Sequence, residues 1–128
     1  MSTPHAWFEL YTPEAQGSLT FYNAVFGWTN QSMDMGEMGT YHMLQHEGNP
    51  FAGVMQTGGP GMENVPPHWT IYFNVEDVEA GVERVTSNGG ALHVPPMDVP
   101  GVGRMAMVAD PNGAVFWLFK GDPNTEGC

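Results

Sequence analysis

One plan occurs twice in this chain of 128 residues, and an offset of 63 residues, the step from His5 to His68, brings its two halves into register. Glu14 then falls on Asp77, Gly27 on Gly90, and residues 49–55 on 112–118. Few letters agree; the order of elements does. A chain of this length supports one ordinary core. The duplication therefore restricts it to two similar modules in a single domain, 1–128, with modules at 5–56 and 68–120 and a connector at 57–67.

The first half opens on an alternating, aromatic-rich strand at 5–11. Thr12 is the expected N-cap of the following helix, with Pro13 at its first position. Leu19, Tyr22, Val25 and Phe26 recur at spacings of three and four and predict one buried helical face ending at Gly27. Strands are expected at 28–34, 40–46 and 51–56, with a glycine-rich turn at 35–39. The second half repeats this order: a strand at 69–75, then a helix with the stripe Val78, Val82 and Val85 that stops at Asn88-Gly89-Gly90. A short strand follows at 91–94, ended by Pro95-Pro96. Residues 103–109 and 114–119 form a hairpin across Asp110-Pro111-Asn112-Gly113, whose Asn-Gly pair suits positive φ.

Three strongly basic residues stand against fourteen acidic ones, for a formal charge of −11. Such a chain repels phosphate backbones and anionic lipid, so neither nucleic acid nor a membrane surface is an expected partner. No apolar run is long enough to span a bilayer, and the N-terminus has no signal-peptide pattern. Cys128, the sole cysteine, makes no internal disulfide. The expected setting is cytoplasmic.

Phe21-Tyr22-Asn23-Ala24-Val25-Phe26-Gly27-Trp28 resembles a segment of the vicinal oxygen chelate superfamily, which includes glyoxalase I, bleomycin-resistance proteins and extradiol dioxygenases. Val75-Glu76-Asp77-Val78, Asn88-Gly89-Gly90 and Asp110-Pro111-Asn112-Gly113 extend the resemblance over nearly the whole chain. It implies an α+β fold: two βαβββ modules forming an incomplete, cupped mixed β-barrel with the helices outside. It also implies a homodimer, with modules paired within one chain or exchanged between two. In metal-using members, four His, Glu or Gln side chains of the first and last strands of each module hold a divalent cation.

Carried onto this chain, those four positions fall on Trp7, Thr70, Gly53 or Val54, and Trp117. Indole offers no lone pair, Gly and Val carry no donor atom, and Thr is a weak ligand. The usual metal site is thus expected to be absent, and no cofactor is expected. A displaced divalent-metal site would draw on His5, His68 and Glu9, which share strand parity. His42 and His46 lie about 13 Å apart on one strand and cannot share a metal. Glu76, Asp77, Glu79 and Glu83 belong to a helix N-terminus, whose dipole favours them.

With aromatic residues at the former ligand positions, the expected ligand pocket is lined by Trp7, Glu9, Thr70, Tyr72, Trp117, Phe119 and Arg104, with methionines such as Met105 and Met107 packing around it. The competing expectation is that the same side chains close the cup into plain core. Glu9 is the candidate acid–base group, and Arg104 is its candidate counter-charge unless it pairs instead with Asp98 or Asp110. The resulting expectation is a metal-independent protein binding an aromatic or cationic small molecule. The alternative is an enzyme of lyase, isomerase or dioxygenase type using Glu9 or the displaced site.

Overall fold

The computed structural model describes residues 4–34, 40–58, 64–99 and 102–121; the side chain of His5, the turn at 35–39, part of the connector and Cys128 lie outside them. The element order is β1 His5–Thr12, α1 Ala15–Phe26, β2 Thr29–Asp34, β3 Thr40–His46, β4 Asn49–Gln56, then β5 His68–Asn74, α2 Val78–Ser87, β6 Ala91–Val99, β7 Gly103–Ala109 and β8 Val115–Gly121. This is βαβββ twice, an α+β fold. No helix among the described residues is long and apolar enough to cross a membrane.

The chain divides into two compact units, residues 8–69 and residues 1–7 with 70–128. The division departs from the sequence modules at both first strands: residues 5–7 of β1 go with the later unit, and His68 and Trp69 of β5 with the earlier one.

In the unit of residues 8–69 the strand order is β2-β3-β4-β1. β1 and β4 run parallel with Glu9 opposite Gly53, and β3 and β4 run antiparallel with Met43 opposite Gly53. Leu10, Leu44, Ala52 and Val54 point to one side of this sheet and pack on Ala15 and Leu19 of α1. The helix begins later than the sequence suggests. Thr12 still pairs with Gln56 in the sheet, so Glu14 is the N-cap, its carboxylate accepting from the Gly17 amide at 3.0 Å. The expected buried face is also corrected: Leu19 is buried and Tyr22 half-buried, but Val25 and Phe26 are exposed. They stand beside Phe21 over an aromatic cluster in which Phe26 stacks on Trp28 at 4.3 Å and the Trp69 indole donates to the Tyr22 hydroxyl at 3.0 Å.

In the other unit the order is β5-β8-β7-β6. β5 and β8 run parallel, while β7 runs antiparallel to both β8 and β6. The stripe expected on α2 is present. Val78, Val82 and Val85 pack against Ala106, Val108, Phe116 and Leu118, with Asp77 capping the helix through the Ala80 amide at 3.1 Å. β6 does not stop at Pro95-Pro96. It runs on to Val99, absorbing the prolines with register shifts at Leu92/Val94 and Val94/Met97. The strand is last in its sheet order, and edges and bulges are where a residue without an N–H is tolerated. In the β7–β8 turn the Asp110 carboxylate accepts from the Asn112 and Ala114 amides, and of the Asn-Gly pair Gly113 alone has positive φ.

Arg104 lies on the α2 side of β7, alternating with Met105, and its guanidinium bonds Glu79 of α2 and Asp98 of β6. The hydrogen bond from Arg104 holds the Glu79 carboxyl below its ordinary value of 4.5. A lowered carboxylate pKa contributes stability above the ordinary value and loses it as pH falls through the folded one. Arg104→Gln is expected to bring the Glu79 titration midpoint back up towards 4.5, and added salt to move the wild-type midpoint the same way because the pair is exposed. Carboxyl-carbon NMR titration reads this; an unmoved midpoint in the variant would remove Arg104 as the cause.

Candidate ligand-binding site

Strand alternation sorts the later unit's sheet into two faces. With Ala106, Val108 and Leu118 committed to α2, the other face carries Thr70 and Tyr72 of β5, Trp117 and Phe119 of β8, and Met105 and Met107 of β7. The register sets these in rows, Tyr72 beside Trp117 beside Met107, and Phe119 beside Met105. Tyr72 and Trp117 stack with ring centroids 5.1 Å apart and planes 5° from parallel, and Phe119 meets Tyr72 edge-on at 6.0 Å. These are favoured aromatic geometries. Tyr72, Met105, Trp117 and Phe119 form a buried floor, and Ala6, Trp7, Val99 and Met107 pack around it half-buried. Among the described residues, no position of β7, of β8 or of β5 from Thr70 onward that points to this side is charged.

The polar groups on this face include the side chains of Thr70 and Trp117. The Thr70 hydroxyl donates to the Val115 carbonyl at 3.4 Å. The Trp117 indole N–H is buried and has no hydrogen-bond partner among the described residues. Leaving a buried donor unmet costs roughly 1–3 kcal/mol, so its presence calls for a reason.

The other unit gathers a different chemistry. Glu9 and Tyr11 of β1, Gly53 and Met55 of β4, and Tyr41 and Met43 of β3 share the side away from α1. Glu9 is 6% exposed. Its Oε2 accepts the Tyr41 hydroxyl at 2.6 Å and its Oε1 the Tyr11 hydroxyl at 3.2 Å. Burial of a carboxylate is tolerable only with such donors. Tyr41 reaches Glu9 because Gly53 has no side chain: a Cβ there would lie 1.7 Å from the tyrosine oxygen. The His68 ring packs on Tyr11 at 5.1 Å, with Nδ1 2.7 Å from the Pro66 carbonyl. A carbonyl only accepts, so that nitrogen carries a proton.

Of the residues expected from sequence to line a pocket, the structure thus collects Trp7, Thr70, Tyr72, Trp117 and Phe119 in one unit and places Glu9 in the other. Arg104 joins neither group; it is on the α2 side, and the Asp98 pairing is the one realised. Tyr41 is the residue that sequence reasoning missed. Its parity with Met43 placed it on the right side of β3, but its reach over Gly53 needed the register of three strands.

At the four positions where the resemblance would put metal ligands, the side chains present are poor cation donors. Gly53, not Val54, is the residue on the Glu9 side; Val54 is buried against α1. Thr70 is bonded to a carbonyl, and Trp117 presents an N–H where a ligand needs a lone pair. These positions do not fit a cation. Among the described residues no three His, Cys, Asp or Glu side chains come together as a metal set, and both Glu9 oxygens are engaged by tyrosines.

Two βαβββ modules, with an aromatic face on one and a buried carboxylate on the other, define a duplicated α+β scaffold. The chain belongs to the Glyoxalase/Bleomycin resistance protein/Dioxygenase superfamily, whose model matches residues 5–118. It is 38% identical over 120 residues to the Putative glyoxylase CFP32 of Mycobacterium tuberculosis, covering 91% of this chain and 44% of that protein. It is 36% identical over 126 residues to the anthracycline biosynthesis protein DnrV of Streptomyces peucetius, covering 90% of this chain and 46% of that one. The chain therefore spans less than half the length of these curated relatives. A methylmalonyl-CoA epimerase from Mycobacterium tuberculosis shares the fold at 13% identity, with a TM-score of 0.64 over 94% of this chain and 89% of the epimerase.

Proposed function

We propose that this chain is a metal-independent small-molecule-binding module that holds a planar aromatic ligand against the Tyr72–Trp117 face. The observation that carries the reading is the stacked pair itself, on a sheet face without charge and rimmed by Trp7 and Met107. Such a surface gains from stacking and apolar burial. The likeness to an anthracycline biosynthesis protein supports it, since anthracyclines are planar fused-ring compounds. Glu9 enters this reading as the anchor of Tyr11 and Tyr41 rather than as an acid–base group, because each of its oxygens already accepts a phenolic hydrogen.

The test is thermal unfolding against a panel of planar aromatic compounds and, separately, divalent metals in place of any ligand. A ligand at a hundred times its Kd stabilises the fold by about 2.7 kcal/mol and raises Tm accordingly. Tyr72→Ala is expected to abolish the rise for planar compounds. A panel in which only metal raises Tm would overturn the proposal.

A further inference from the structure

Resting on that reading, we infer that the Trp117 indole N–H is a recognition donor, and that the ligand is a neutral planar compound carrying a carbonyl-type acceptor on its ring edge, of the quinone or aromatic-ketone class. Three observations converge. Trp117 is 8% exposed, and its Nε1 finds no acceptor among the described residues, although the hydroxyl of Thr70 on the same face is bonded. The indole N–H lies in the ring plane, so an acceptor reaches it at the edge of the indole, not from above the stacked Tyr72–Trp117 pair, with an in-plane oxygen lone pair. The charge of the ligand is fixed by what surrounds the donor. An N–H hydrogen repels a cation, and an anion would find no arginine or lysine beside it: Arg104 is on the α2 side with Glu79 and Asp98, Arg84 lies on α2, and Lys120 is exposed. This selects between the aromatic and cationic ligands that the sequence left open.

The carbonyl contributes through one directional bond, and removing its donor removes the preference for it. 9-Fluorenone and fluorene make a matched pair of planar tricycles that differ in a ketone. Titrated by calorimetry, wild-type protein is expected to bind fluorenone about tenfold more tightly than fluorene, the effect of one buried neutral hydrogen bond. Trp117→Phe, which keeps an aromatic wall without the N–H, is expected to bring the two within about twofold. An NMR readout needs no variant to bind: the Trp117 indole proton should move downfield with fluorenone and not with fluorene. If neither compound binds wild-type protein, the proposed function fails. If both bind it equally and Trp117→Phe changes nothing, the aromatic face stands but the donor assignment is overturned, a bound water then holding the N–H. If Trp117→Phe does not fold, the indole shift alone decides.

Discussion

Gly53→Ala is expected to destabilise the protein by ~2–4 kcal/mol and to turn Tyr41 away from Glu9. The sign is informative, because replacing a strand glycine by alanine ordinarily gains ~0.4–1 kcal/mol where the backbone allows it. Gly53 has no positive φ to protect. What it protects is space: the new methyl carbon would lie 1.7 Å from the Tyr41 oxygen, 2.3 Å from its Cζ and 2.8 Å from Glu9 Oε2. A half-buried tyrosine can swing outward, so the steric part relaxes. The hydrogen bond to the buried carboxylate is then lost, and bonds to charged groups are worth ~1.5–3 kcal/mol. Urea denaturation of Gly53→Ala, Tyr41→Leu and the double variant separates the terms. With the ring gone, the alanine should cost less than ~1 kcal/mol. Equal costs in both backgrounds would show that Tyr41 does not occupy the space above Gly53.

That network also marks where sequence reasoning ended. Periodicity gave the element order, the Val78, Val82 and Val85 stripe, the Asp77 cap region and the face shared by Tyr72, Trp117 and Phe119, because each depends on residues close together along one strand or helix. It misplaced what depends on a second element. Val25 and Phe26 have helical spacing suited to burial, yet α1 meets its sheet through Ala15 and Leu19, so they are left exposed. Arg104 has an inner-strand sequence context, but one residue of parity puts it towards α2. Thr12 has every property of an N-cap and remains in β1, because Gln56 is there to pair with it. The orphan N–H of Trp117 was not legible at all, since satisfaction of a donor is a property of its whole surroundings.

The paired glycines after α2 show the same limit with a larger energetic consequence. Register between the halves sets Gly27 against Gly90, which would make both helix-stop residues with similar sensitivity. The conformations differ. Gly27 has φ +75 and open space around its Cα, as a left-handed cap should, and in the second half that role belongs to Gly89, at φ +91. Gly90 instead lies where the chain leaving α2 is pressed against the end of β7. Its amide donates to the Val85 carbonyl at 2.8 Å, and a Cβ would come within 2.5 Å of the Ala109 carbonyl oxygen and 2.7 Å of Val85 Cγ1. Neither neighbour yields cheaply: one is backbone in the β7–β8 ladder, the other a branched side chain packed into the α2 core. Gly90→Ala is therefore expected to cost ~2–4 kcal/mol, as overpacking does where backbone must shift. Gly27→Ala and Gly89→Ala should each cost only the ~1–2 kcal/mol of a left-handed non-glycine residue. Urea midpoints for the three variants check the ranking. A Gly90→Ala midpoint equal to that of Gly27→Ala would mean that the two halves are alike at this position after all. The expected order instead makes Gly90 a close contact between the chain leaving α2 and the end of β7, whose Ala109 pairs with Val115 two residues before Trp117.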